Sequence, residues 1–319
     1  MRLTTRRYAR FAWGVLGYNL LVVLWGAFVR ASGSGAGCGS HWPLCNGVVV
    51  PRPEQVATLI EFTHRVTSGL ALVAVAALLL GAIRLYPRGH RVRKAALATM
   101  AFMLMEALLG AGLVLFELVA ENASMVRAFS MIAHLVNTFL LVGSLTITAW
   151  WASGGPAFRP RREGALPPLL VLGMLGLLLV GATGAIAALG DTLFPSRSFA
   201  EGFRADRDPT AHLLLRLRVL HPIVAVGAGG YWLLVSRLAA RARPGRDTGR
   251  FAALVAGIVL VQLAVGVTNL ALLAPIWIQL VHLLLADLLW IAAVLLSATS
   301  LADEPVLTPK REPFILEVR

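Results

Sequence analysis

The stretch Ile60-Glu61-Phe62-Thr63-His64-Arg65 sets a carboxylate, an imidazole and a guanidinium close together. Such a trio can move a proton, ligate a metal and hold an anion. Glu61 and His64 are three residues apart, so on a helix they share a face, one turn from each other. The run that follows, 66–83, is apolar and long enough to cross a bilayer. Ionisable groups at the mouth of a membrane helix are costly and point to function. Three other apolar runs carry a histidine near the same end: His134, His221 and His282.

The helices that must position these residues follow from composition. Of the 319 residues, 58% are hydrophobic and only 14% charged, too little polar surface for a soluble core. Apolar runs of about 20 residues read as transmembrane helices. Eight occur, roughly 11–31, 66–84, 95–117, 130–151, 167–189, 213–235, 251–273 and 277–298. A formal charge of +13 would suggest nucleic acid in a soluble protein, but here the charges sort by loop. Basic clusters precede the first run (Arg2, Arg6, Arg7, Arg10), separate the second from the third (Arg84 to Lys94) and follow the fourth (Arg159, Arg161, Arg162). Two more follow the sixth run (Arg237 to Arg250) and end the chain (Lys310, Arg311, Arg319). With eight spans all of these fall on one side, which the positive-inside rule makes cytoplasmic, with both termini inside. Membrane lipid, not nucleic acid, is the expected surrounding. The first run is too long for a signal h-region and ends in no convincing cleavage site. No Arg/Ser-rich transit stretch precedes it, so a multi-pass protein of a prokaryotic plasma membrane is expected.

The two halves resemble each other. Gly26-Ala27 matches Gly181-Ala182, Glu106-x3-Gly110 matches Gln262-x3-Gly266, His64 matches His221 and His134 matches His282. The expected fold is all-α: two parallel-repeat four-helix bundles, related by an axis along the membrane normal. The halves are 1–152 and 167–301, joined by a cytoplasmic linker at 153–166 and followed by a polar cytoplasmic tail, 302–319. Each half places a histidine at the outer end of its second and fourth spans. A lone histidine on an apolar helix is usually a hydrogen-bonded core residue. Four at one depth, paired within each half, instead suit axial ligation of a flat macrocycle in a bundle core. One heme-type site per half, near the outer face, is the reading. Only the first half has a carboxylate one turn from its ligand, so that half reads as chemical. The second half offers Arg216 and Arg218, suited to anchoring heme propionates, and reads as holding a cofactor.

The first outer loop holds both cysteines, Cys38 and Cys45. Seven apart in an oxidising compartment, they read as a disulfide or as two unpaired thiols, with the turn-forming glycines favouring the disulfide. His41 lies between them, but two Cys and one His make a weak metal site, and a solvated histidine is the plainer reading. Mid-span Glu106, Gln262 and Asp287 must be paired, protonated or facing a cavity.

These residues resemble the heme A synthase family. The similarity is carried by Gly-Ala-Phe-Val-Arg-Ala-Ser-Gly-Ser-Gly (26–35), Trp-Pro-Leu-Cys-Asn-Gly (42–47), Glu-Phe-Thr-His-Arg (61–65), Leu-Arg-Val-Leu-His-Pro (217–222) and the region of His282. The resemblance implies oxidation of a methyl group of heme O to a formyl group by successive hydroxylations, giving heme A for terminal oxidases. It implies His64 and His134 as ligands of the substrate heme, with Glu61 as the catalytic carboxylate. His221 and His282 would ligate a resident heme b that passes electrons, and Arg65 would join Arg216 and Arg218 in contacting propionates. Expected partners are heme O, the enzyme that produces it and an electron donor. Cys38 and Cys45 match a family cysteine pair. Some relatives have a second pair in the later outer loop, but residues 190–212 contain none, so a redox role needing both pairs is not implied.

Three other readings compete. A di-heme electron carrier needs no group like Glu61. A two-repeat transporter would want broken helices and polar groups at the midplane, whereas here they cluster at the outer ends. An assembly factor without catalysis has no positive signal.

Overall fold

The computed structural model describes residues 2–52, 55–158 and 164–302. Among them are ten α-helices and no strand beyond isolated bridges. In the first half these are α1 (Arg2–Ala31), α2 (Val56–Leu85), α3 (Arg91–Leu115) and α4 (Met125–Ala152). The second half has α5 (Leu166–Leu193), α6 (Phe199–Arg207), α7 (Leu213–Arg218), α8 (Leu220–Ala242), α9 (Arg246–Ala271) and α10 (Ile276–Ser300). Counting α7 and α8 as one, eight helices are long and apolar enough to cross a membrane. The cationic residues 159–163 and the tail from 303 lie outside the described residues.

Local chemistry sets several boundaries. The Ser124 hydroxyl accepts the Arg127 N–H and caps α4, and His90 Nδ1 accepts the Val92 N–H and caps α3. The break between α7 and α8 falls at Val219. Pro222, in the first turn of α8, has no N–H to return to the Arg218 carbonyl. Two features depart from the hydropathy reading. Helix α2 begins at Val56, so Glu61 and His64 lie inside the helix and not at its mouth. Hydropathy misses this turn because its polar side chains are satisfied by the preceding loop, as where the Thr58 hydroxyl donates to the Gly37 carbonyl. Helix α6 was not expected. Its signal was present: Ser198 caps the helix by accepting the Glu201 N–H, a serine followed three residues on by glutamate.

In the first half α1 packs on α2, α2 on α3, α3 on α4, and α4 back on α1. In the second, α5 packs on α8, α8 on α9, and α9 on α10. The halves meet where α4 contacts α5 and α10, and where α1 contacts α10. Helices α4 and α10 are accordingly the most buried of the eight. The shared core includes Leu78, Leu145, Trp232 and Leu296, all below 2% exposed, with the Trp232 indole donating to the Gly173 carbonyl. Many outward leucines and valines are exposed, such as Leu70, Val73 and Leu172, as expected of faces that lipid covers. Contacts across the bundle join alternate ends of the helices. At one end Trp13 donates to Ser153 and Phe158 pairs with Ala302. At the other, Arg30 reaches Gln279 and Gly35 lies against Val119. Both sets agree with an even number of crossings.

Candidate functional site

All four repeat histidines, His64, His134, His221 and His282, line one cavity of about 1090 Å³ that runs between the halves. That is just above the roughly 300–1,000 Å³ range of small-molecule sites. The walls are mostly apolar, and loop residues at the disulfide end, among them Gly35, Trp42 and Pro43, line it.

Each histidine lies against a glycine of a neighbouring helix. A Cβ on Gly26 would lie 2.8 Å from His64 Cε1, one on Gly184 3.1 Å from His221 Cε1, and one on Gly266 3.2 Å from His282 Cε1. Gly110 lies more loosely against His134, at 3.9 Å. This four-fold recurrence is the internal repeat in three dimensions. It also corrects the register read from sequence: Gly184-Ala185, not Gly181-Ala182, is the counterpart of Gly26-Ala27. Gly181 packs on Phe139 instead, 2.5 Å from its ring by the same measure. Two Gly-Ala pairs one turn apart are indistinguishable until a partner helix is present.

The ring nitrogens show what the pairs can hold. His221 and His282 have ring centres 6.2 Å apart with planes at 86°. A metal midway between two imidazoles, at about 2.0–2.1 Å from each nitrogen, places ring centres roughly 6 Å apart, which this spacing matches; His282 Nε2 itself lies 3.5 Å from the Gln262 amide nitrogen. The Thr183 hydroxyl lies 3.3 Å from His221 Nδ1, leaving Nε2 for a ligand. In the first half, Glu106 Oε1 lies 3.5 Å from His134 Nδ1, within ion-pair distance but without a hydrogen bond to it. Glu106 is itself held by the Asn137 amide at 2.6 Å and the Thr138 hydroxyl. In the second half Gln262 takes its place, donating 3.1 Å to the His282 carbonyl. The third mid-span group, Asp287, is fully buried, and neither of its oxygens has a partner among the described residues.

Glu61 is 3% exposed and reaches the cavity wall. It accepts the Cys38 N–H at 2.8 Å and two N–H groups of Arg65. Arg65 also donates to the carbonyls of His41 and Leu44. Cys38 and Cys45 form a disulfide, so the closed loop is tied directly to the Glu61–Arg65 pair. With both cysteines joined, a metal site around His41 has lost its ligands, and His41 is exposed.

The arginines divide differently from the sequence expectation. Arg216 is exposed and does not line the cavity. Arg218 reaches it but is bound by Asp206, Asp191 and the Gly202 carbonyl. The sequence reading gave no anion-binding role to three other cavity-lining arginines, Arg30, Arg127 and the exposed Arg207. Arg30 lies in the segment 26–35 but finds its partners on other helices, at Ala188, Thr192 and Gln279, whereas Arg127 is held by carbonyls of the loop just before α4.

The fold and cavity define a class: a helical protein with eight helices long and apolar enough to cross a membrane and four histidines on one shared cavity. A profile of the cytochrome oxidase assembly protein family matches residues 9–294. The chain belongs to that family, within which heme A synthases fall. A Thermus thermophilus protein named protoheme IX farnesyltransferase is 51% identical over 295 residues, covering 92% of this chain and 48% of that protein. Heme A synthases of Symbiobacterium thermophilum and Bacillus cereus are 44% and 40% identical, over 30% of this chain and 31% of their own length. The chain thus spans about half the length of the Thermus relative, and a third or less of the others is matched.

Proposed function

We propose that this chain is a heme A synthase, oxidising a methyl group of heme O to a formyl group. The observation that carries the reading is the asymmetry of two otherwise repeated sites. Both halves present a histidine pair to the cavity, but only the first has a carboxylate, Glu61, three residues before its ligand. In this reading His64 and His134 hold the substrate, and Glu106 orients His134. Glu61 holds or moves a proton at the macrocycle edge, and Arg65 and the disulfide loop fix its position and keep water out. His221 and His282, with ring centres 6.2 Å apart, would hold a resident heme b. That heme would supply one-electron transfer when bound. The N-terminal half is then the catalytic unit and the C-terminal half the electron-handling unit. The charge sorting favours cytoplasmic termini and sites at the outer face.

The farnesyltransferase name of the Thermus relative concerns the reaction that must supply heme O. We place that activity in the part of the relative beyond the match, which would set producer beside consumer. One observation favours a second reading, a bis-histidine electron carrier: Glu61 already accepts three hydrogen bonds and is paired with Arg65, as a purely structural carboxylate would be. The test is the visible spectrum and pyridine hemochrome of the purified protein, with the heme A to heme O ratio of membranes supplied with heme O. Bound heme b with accumulating heme A supports synthesis. Bound heme without heme A supports the carrier, and a colourless protein removes both.

A further inference from the structure

We propose that Arg127 is the anion anchor of the first-half site, binding an edge carboxylate of the macrocycle held by His64 and His134, with Arg30 supplying a second positive charge. The proposal rests on the heme reading above and adds the orientation of the ligand. Arg127 is 4% exposed yet lines the cavity. Its Nη1 is held by the carbonyls of Ala120 and Asn122, so the loop before α4 aims the guanidinium. Its Nε is buried with no partner among the described residues. Arg127 precedes His134 by seven residues, two turns on the same face and about 10 Å of rise. That is the scale on which a porphyrin ligated at its iron extends its carboxylate edge.

Arg30 stands one turn beyond Gly26, the glycine against His64. It bonds only neutral groups: the Ala188 carbonyl, the Thr192 hydroxyl and the Gln279 side chain. Among the described residues no carboxylate lies within ion-pair distance of Arg30 or Arg127. Glu121 acts on Arg127, and Asp191 on Arg30, only at longer range, and Asp191 is bonded to Arg218. The charges of Arg30 and Arg127 also act on each other. Two mutually repelling cations in one apolar wall are costly, and buried charges are ordinarily paired. Arg65 and Arg218 follow that rule with Glu61, Asp191 and Asp206, Arg207 is exposed and lies over the Phe203 ring, and a ligand bearing two carboxylates would extend the rule to the buried charges of Arg30 and Arg127. In the register of His134 and His282, the counterpart of Arg127 is Pro275, so the anchor belongs to the first site alone. Both arginines lie on the disulfide-loop side of the histidines, at the loop ends of α1 and α4, which turns the carboxylate edge toward the disulfide loop and the apolar edge toward the middle of the bundle.

The test titrates the purified full chain with iron protoporphyrin IX and with its dimethyl ester, whose edge groups are neutral. First-site binding is defined as the spectral change lost in His64→Ala. The parent should bind the acid about ten- to a hundredfold tighter than the ester, the scale of a hydrogen bond to a charged group. Arg127→Gln should remove most of that preference without weakening the ester, and Arg127→Lys should keep part of it. A parent that does not discriminate, or an Arg127→Gln protein that discriminates as well as the parent, overturns the anchor. A lipid phosphate occupying Arg127 would give the first of these results. If Arg127→Gln does not fold, the acid–ester comparison in the parent decides alone. Binding indifferent to His64 and His134 overturns the heme reading itself, a result distinct from loss of ester discrimination.

Discussion

Replacing Gly26 by alanine should separate ligation from folding. The new Cβ would lie 2.8 Å from His64 Cε1 and 3.0 Å from Nε2. Carbon atoms settle at about 3.5–4.0 Å, so the ring must withdraw by about 0.7 Å or more. Metal–ligand distances hold to about ±0.2 Å, several times less than that displacement. With no ligand bound, the imidazole can swing aside, because His64 Nδ1 has no partner among the described residues to hold it. The apo fold should therefore be nearly unaffected, and alanine favours a helix interior over glycine by about 1 kcal/mol. Holding the ring in place for ligation instead meets an overpacking cost of about 1–3 kcal/mol, or about five- to a hundredfold in first-site occupancy. Gly110→Ala is the control, since its Cβ meets His134 only at 3.9 Å. Gly184→Ala and Gly266→Ala, at 3.1 and 3.2 Å, should weaken the second site by a smaller factor. The assay measures heme b by pyridine hemochrome, the heme A to heme O ratio of membranes at matched protein level, and the melting temperature. Gly26→Ala should lose heme A and keep heme b and its melting temperature. A Gly26→Ala protein as active as Gly110→Ala would refute the claim that this glycine sets the position of a ligand.

Three further outcomes are expected. His221→Ala or His282→Ala should lose the resident heme b, while His64→Ala or His134→Ala should keep it and make no heme A; equal heme loss in all four would end the division of labour. Glu61→Gln should retain heme and lose about 10²–10⁴-fold in turnover, read as the heme A to heme O ratio, whereas near-parental turnover would make the Arg65 pair purely structural. The unreduced, denatured protein should show no reactive thiol, and Cys38→Ser should cost at most roughly 2–3 kcal/mol without unfolding the bundle; two freely labelled thiols would contradict the disulfide.

Much of this protein is one-dimensional information. A bilayer-length helix must satisfy its own backbone bonds and offer apolar side chains throughout, so eight runs of that kind were legible without neighbours. The histidine pairs were legible for a related reason: an imidazole is costly in an apolar run, so its recurrence at one depth in both halves stands out. The cysteine pair, alone in a turn-rich loop, was equally plain. The tertiary structure decided what depends on helix rotation and on distant chain segments. Hydropathy cannot tell Gly181 from Gly184, since both sit in an apolar helix and only the partner across the interface differs. It could not set Glu106 beside His134, or tie Cys38 to Glu61, because those contacts cross between elements. Arginine was hardest to read, because its long side chain carries the charge far from its own helix position. Arg216 and Arg218 were near the right histidine in sequence, yet one points to solvent and the other is matched by two aspartates. Arg30 and Arg127 stood in no motif with each other, and packing α1 against α4 in the folded bundle is what sets both beside the cavity.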